Sequence, residues 1–237
     1  MDLVIDFGTS TGKAGFFNGD VLVEHRRGIE PEHISELGLD GNIENLIISS
    51  VSHDARQLVD GLQVKGSLLT MSSELNLPIT LDYKTPQTLG MDRLAAVVGA
   101  SVLFPGQDVL VIDAGSCITY DLLTSDKVYL GGSISPGIEI RFKALHNYTV
   151  NLPLVERVEN PDLTGKSTSE AMQSGVIYGT MVEIREIIRM YRNKFPLLQL
   201  VICGGDSTFY HEHLSGEVQL NPDLVLFGLK TVLDHNV

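Results

Sequence analysis

Cysteine, positive charge and long apolar runs are all scarce in this chain of 237 residues. The two cysteines, Cys117 and Cys203, have no close partner in sequence, which excludes a zinc-ligand cluster, a Cys-x-x-Cys redox pair and a disulfide framework. Both are expected to be buried small apolar side chains. Lys and Arg total 17 against 30 Asp and Glu, a formal charge of −13. A surface of that sign repels nucleic-acid phosphates unless a basic patch overrides it, and no such patch is visible. No nucleic-acid partner is expected. The longest nearly apolar stretch, Leu94 to Phe104, is broken by Gly99 and Ser101 and falls far short of the ~20 residues a bilayer crossing needs. No membrane span is expected either. Asp2 leads straight into the strand-like Leu3-Val4-Ile5 with no basic leader or cleavage site, which points to a cytoplasmic protein.

What is present is a core. With 43% apolar residues, the chain can fill one large domain or two modest ones. Leu3-Val4-Ile5-Asp6, Ala14-Gly15-Phe16-Phe17 and Val21-Leu22-Val23 read as strands, the last two joined by the hairpin signal Asn18-Gly19-Asp20. The second half repeats the layout with Val109 to Asp113, Ile118 to Leu122, a turn at Thr124 to Lys127, and Val128 to Leu130. The repeat is also literal: Val4-Ile5-Asp6-x-Gly8 recurs as Val111-Ile112-Asp113-x-Gly115, with a hydroxyl residue next in each case. A period of half the chain indicates a duplicated domain rather than a solenoid. Two halves, 1–106 and 107–237, are expected, each a mixed sheet flanked by helices, with an interdomain cleft as the ligand site.

Two helices are well marked. Leu94, Val97, Val98 and Val102 follow helical spacing, and Ala95, Ala96, Gly99 and Ala100 allow close approach of another backbone. Asp92 sits at the start of this helix. Ser167-Thr168-Ser169-Glu170 has capping-box form, and Ile177, Met181, Ile184, Ile188 and Tyr191 continue on one face until Pro196. Leu198 to Cys203 reads as a buried strand, Asp223 to Asp234 as a final helix, and Asp40 to Leu81 as alternating strands and helices.

Chemistry concentrates in few places. The loop Asp6-Phe7-Gly8-Thr9-Ser10-Thr11-Gly12-Lys13 follows a strand, its glycines let backbone N–H groups curl around phosphate, and Lys13 adds a point charge. Taken alone, it also fits a plain hairpin turn with a solvated lysine. The second turn, Asp113-Ala114-Gly115-Ser116, favours the phosphate reading, because two such turns can bring two carboxylates and two sets of donors to one nucleotide and its cations. Gly90-Met91-Asp92-Arg93 fits an N-cap aspartate followed by a surface arginine, and a carboxylate there would be kept ionised by the helix dipole. Thr164-Gly165-Lys166-Ser167 mimics the end of a phosphate-binding P-loop, but Asn160 stands where the first glycine belongs and no strand precedes it. His211-Glu212-His213 would put two imidazoles on one face of a strand, without a third metal ligand.

These segments together resemble the type III pantothenate kinases, of the acetate kinase, sugar kinase and actin superfamily. The family pattern Asp-x-Gly-Asn-Ser/Thr-x-x-Lys corresponds to Asp6 through Lys13, Gly-x-Asp-Arg to Gly90 through Arg93, and Asp-x-Gly-Thr to Asp113 through Ser116. The resemblance covers nearly the whole chain. It implies duplicated actin-like, ribonuclease H-like domains and transfer of the ATP γ-phosphate to pantothenate. By that resemblance Asp92 accepts the hydroxyl proton, and Tyr83, Gly90, Met91, Asp92, Arg93 and Thr168 hold pantothenate. Asp6, Phe7, Gly8, Thr9, Ser10, Thr11, Gly12, Lys13 and Ser116 bind ATP. Asp6 organises Mg2+, through water, and Asp113 binds a monovalent cation, K+ or NH4+. A homodimer is implied too. Thr9 stands where the family has Asn, Ser116 where it has Thr, and Ser167 where Asn is common. Another small-molecule kinase or a polyphosphate-cleaving hydrolase on the same scaffold, and a non-catalytic nucleotide-binding homologue, are the competing readings, since a fold alone does not separate them.

Overall fold

The computed structural model describes residues 1–9, 11–38, 42–214 and 218–237. It divides into two compact units: Met1–Gly106 with Leu122–Gly131 and Asp223–Val237, and Gln107–Asp121 with Gly132–Pro222. In chain order, β1 (Asp2–Phe7), β2 (Gly12–Asn18) and β3 (Val21–Ile29) form an antiparallel meander. A 3-10 stretch over Pro31–Gly38 follows, then β4 (Leu46–Ser50), the single helical turn α1 (Ala55–Leu58), β5 (Leu68–Thr70), β6 (Thr80–Leu81) and α2 (Met91–Leu103). The repeat begins at β7 (Val109–Ala114), with β8 (Cys117–Leu123), β9 (Val128–Pro136), α3 (Ile138–Asn147) and α4 (Thr168–Lys194). β10 (Gln199–Cys203), α5 (Ser207–His213), β11 (Gln219–Leu220) and α6 (Leu224–Asp234) complete the chain.

The duplication read from the sequence is present in the sheets. The first is ordered β3-β2-β1-β4-β5, and the second β9-β8-β7-β10-β11 with β6 added beside β9. In each, the first strand pairs in parallel with the fourth: Val4 opposite Ile47, and Val111 opposite Val201. β7 and β8 are joined by two residues, a connection only an antiparallel pair allows. The central strands are buried on both faces, so Leu3-Val4-Ile5, Leu46-Ile47-Ile48, Val109 to Ile112 and Leu200 to Cys203 read as unbroken apolar runs.

Other expectations need correction. β3 runs six residues past Val23, because Glu24 to Gly28 form an exposed sheet edge whose polar side chains carry no apolar alternation. Between Leu46 and Leu81 there are three short strands and one four-residue helical turn rather than an alternation of full elements, with Gly61, Gly66 and Pro78 interrupting longer patterns. Asp40, the expected start of that region, lies outside the described residues. No helix among the described residues is long and apolar enough to cross a membrane.

The small residues of α2 do what their size suggests. A Cβ at Gly99 would lie 2.4 Å from Leu224 O, and one at Gly228 would lie 1.7 Å from Ala95 O, so the α2 and α6 backbones touch. A buried cation ties α6 to the first strand: Lys230 Nζ pairs with Asp2 at 3.2 Å and with Asp234. Gly228→Ala would force the two helices apart, and is expected to lower the unfolding free energy in urea by about 3 kcal/mol. A change under about 0.5 kcal/mol, typical of neutral surface substitutions, would contradict this packing.

Candidate active site

In the first unit, Asp6 is buried at the end of β1, directly opposite Lys13 at the start of β2, so the turn between them delivers a carboxylate and an ammonium from paired positions. The Gly8 N–H donates to Thr11 O at 3.1 Å, which closes the loop tightly. Ser52 Oγ donates to Gly8 O at 2.8 Å, and the Val51 N–H donates to Phe7 O at 3.1 Å. The Phe7 ring meets His53 edge-on at 5.1 Å. Thr9 and Thr11 are exposed at the loop surface, and Ser10 lies outside the described residues.

Gly90, not Asp92, is the N-cap of α2, which corrects the capping reading. Asp92 lies in the first turn, where its Oδ1 accepts the Arg93 N–H at 2.8 Å. A Cβ at position 90 would sit 2.6 Å from that oxygen, so a glycine cap is what leaves the carboxylate its space. Arg93 is buried rather than on the surface. Tyr83, half-buried, stacks on the fully buried Tyr129, with centroids 5.9 Å apart and planes 17° from parallel. Tyr129 is an aromatic platform that a search for polar motifs overlooks.

In the second unit, Asp113 is half-buried near the end of β7 and Ser116 is exposed in the turn that follows. The turn closes on itself and two other segments converge on it. The Gly115 N–H donates to Cys117 O at 2.9 Å, the Gly137 N–H to Ser116 O at 2.9 Å, and the Asp206 N–H to Ala114 O at 2.8 Å. A Cβ at Gly137 would lie 2.1 Å from Gly115 O. Gly204, at φ +93°, is in the left-handed region, and a Cβ there would lie 2.3 Å from both Asp113 Oδ1 and Ala114 O. Sequence reasoning missed Gly137, Gly204 and Asp206 as parts of the site. Their signal was Pro136-Gly137 and Gly204-Gly205 directly after strands, which reads as ordinary turn punctuation. Cys117, expected to be buried, is exposed, because it opens β8 beside this surface turn, whereas Cys203 is buried.

Thr168 begins α4, whose N-cap Ser167 accepts the Glu170 N–H at 3.2 Å. Glu170 reaches back to the Lys166 N–H at 2.7 Å, one residue earlier than a reciprocal capping box requires. Thr168 lines a largely apolar groove of about 880 Å3 between α3 and α4, together with Ile140, Arg141, Leu145 and Met172. His211 and His213 lie on α5, not on a strand, so their spacing of two turns the rings to different sides. Among the described residues no three His, Cys, Asp or Glu side chains cluster for a metal.

A family model for type III pantothenate kinases matches residues 2–190. A type III pantothenate kinase of Christiangramia forsetii is 40% identical over 246 aligned positions, covering 100% of this chain and 99% of its own. The chain belongs to the type III pantothenate kinase family. Among solved structures, a Campylobacter jejuni protein described as a Baf family transcriptional activator superposes with a TM-score of 0.63 at 19% identity, over 99% of this chain and 98% of its own. A Sinorhizobium meliloti protein described as a 2-dehydro-3-deoxygalactonokinase gives 0.58 at 17% identity, covering 98% of each chain. At such identities these likenesses show the fold alone, the duplicated actin-like α/β fold. The family match spans both Asp-x-Gly turns, Gly90 to Arg93 and Thr168.

If the backbone contact at Gly204 aims Asp113, Gly204→Ala should lower kinase turnover about a hundredfold, the scale of a small misplacement of a reacting group. Unfolding stability should fall by only about 1–3 kcal/mol, the range for a strained backbone position. Gly205→Ala, with nothing within 4 Å of its added methyl, is the matched control. Equal turnover for the two variants would show that the Gly204 contact does not aim Asp113.

Proposed function

We propose that this chain transfers the γ-phosphate of ATP to the terminal hydroxyl of pantothenate, yielding 4′-phosphopantothenate, the first step of coenzyme A synthesis. The observation that carries this reading is the match to the family along the whole chain, at 40% identity to one of its members. The residue roles follow from chemistry. The buried Asp6 faces Lys13 across one turn, a pairing suited to β- and γ-phosphates, with N–H groups of the loop beyond Gly8, whose own N–H closes the turn on Thr11 O, as further donors. Phosphoryl transfer needs positioning and charge stabilisation more than covalent help from the protein.

Mg2+ fits a site with a single carboxylate, because it is commonly held by one or two carboxylates, substrate phosphates and water rather than by an all-protein cage. Asp6 would hold it through water, and the bound ion would neutralise charge developing on the phosphate oxygens. Asp113 would offer a donor to a monovalent cation, K+ or NH4+, and Ser116 would touch ATP. Asp92, in the first turn of α2, would take the hydroxyl proton of pantothenate. Gly90, Met91, Arg93, Tyr83 on its Tyr129 platform, and Thr168 would hold the rest of the substrate. Thr9 keeps one donor where the family has a carboxamide, so contacts to the nucleotide are reduced there. A cytoplasmic homodimer built from halves 1–106 and 107–237, with no nucleic-acid or membrane partner, completes the reading.

The test is release of ADP from ATP by the purified protein. ADP formation is expected to depend on pantothenate, to require a divalent ion, and to be faster in potassium than in sodium. Asp92→Asn should lose about 10²–10⁴-fold in turnover, the usual contribution of a general base, with its thermal midpoint retained. A folded wild-type protein inert toward pantothenate but active on another alcohol would overturn the substrate assignment.

A further inference from the structure

The corner Ser135-Pro136-Gly137, between β9 and α3, lies in direct backbone contact with the Asp113 turn through Gly137. The turn has little packing of its own. Ser116 and Cys117 are exposed, and a side chain at Gly115 would meet nothing within 4 Å. Besides the Asp206 and Gly204 contacts at Ala114, where the turn sits therefore depends on what holds the corner.

That role falls to Arg141, on the first turn of α3. Its Nε donates to Pro136 O at 2.7 Å, and its Nη2 donates to Ser135 Oγ at 2.8 Å and to Glu183 Oε2 on α4 at 2.7 Å. The other oxygen of Glu183 faces the Tyr120 hydroxyl of β8 at 3.5 Å. Burial first, and then the Glu183 carboxylate, raise the Tyr120 pKa, so this hydroxyl stays protonated and able to donate. One planar guanidinium thus grips the corner by main chain and side chain together while being anchored to a second helix. An ammonium is a point charge and does not reproduce that fork. Arg141 and Glu183 keep 21% and 27% of their side-chain surface exposed, so the pair adds modestly to stability.

We propose that Arg141, held by Glu183, is a positioning residue for nucleotide binding: through the Ser135–Gly137 corner it sets where the Asp113–Ser116 turn presents itself to ATP, without touching ATP. This rests on the reading of that turn as part of the nucleotide site. Three variants separate the two claims: Arg141→Lys, Glu183→Gln and Ser116→Ala. For each, the Kd for ATP by calorimetry without pantothenate, the KM for both substrates and the thermal midpoint would be measured.

Arg141→Lys is expected to weaken ATP binding about tenfold, the size of one charge-assisted hydrogen bond. Because Arg141 also lines the groove that contains Thr168, the ATP Kd measured without pantothenate is the deciding readout. Glu183→Gln should weaken ATP in the same direction by less, and the double variant should be no worse than Arg141→Lys, because both act through one corner. A purely structural role would lower the midpoint and leave the Kd of the folded protein unchanged. If Ser116→Ala weakens ATP and Arg141→Lys does not, the positioning role is overturned while the nucleotide reading stands. If neither changes the Kd, the nucleotide reading of the turn fails and the positioning role with it. Should Arg141→Lys not fold, an unchanged Kd in Glu183→Gln overturns the proposal by itself.

Discussion

One hydrogen bond recurs in both halves, and both candidate phosphate turns depend on it. The carbonyl immediately after each motif aspartate accepts an N–H from the loop that follows the parallel neighbour strand. In the first half this is Val51 to Phe7 at 3.1 Å, and in the second Asp206 to Ala114 at 2.8 Å. In the first half the bond continues the β1–β4 ladder by one step beyond Ser50, and in the second it comes from three residues beyond Cys203, the last paired residue of β10. It fixes the peptide next to the aspartate, and with it the direction in which the following turn leaves the sheet. A duplicated strand order makes the bond possible twice, since only a parallel neighbour brings its own C-terminal loop to the same end of the sheet.

Beyond this shared bond the two turns are built differently. The first closes on itself, Gly8 N–H to Thr11 O, and is gripped from outside by the Ser52 hydroxyl on Gly8 O. The second is pressed by two backbones, at Gly137 and Gly204, with no room for a Cβ at either. The difference is chemical as well as steric. A hydroxyl clamp holds the first turn through a single side chain, with Thr9 and Thr11 exposed at its surface. A backbone clamp leaves the turn beside Asp113 no room for a side chain at either contact. An acidic chain of −13 cannot draw ATP in by its overall field, so affinity has to come from such locally fixed donors.

The sequence disclosed what rests on unbroken apolar runs and on repeated short patterns. The central strands, the hairpin at Gly19, the packing face of α4 and both Asp-x-Gly turns are legible because burial on both sheet faces and a turn between paired strands each impose a composition. What it concealed are contacts made by backbone or by exposed polar residues. The edge half of β3, Glu24 to Gly28, has no alternation to detect. The glycine cap ahead of Asp92 was mistaken because an aspartate near a helix start is the commoner cap. Gly137 and Gly204 act through an absent atom, and nothing local distinguishes such a glycine from one that merely turns the chain. Arg141 and Glu183, 42 residues apart, meet only through the packing of α3 on α4.

The ends of the chain show a further consequence of the duplication. α6, made last, groups with the first unit, where it lies against α2 and β1, and its Lys230 is held between Asp2 and Asp234. The apolar face of α2, with Leu94, Val97 and Val98 all fully buried, thus has as its cover a helix encoded after the whole second unit. Residues 1–106 by themselves would leave that face and Asp2 without this partner, and an exposed apolar surface of this kind favours association over a single folded state. The close backbone approach at Gly99 and Gly228 is what lets α6 seat fully against α2.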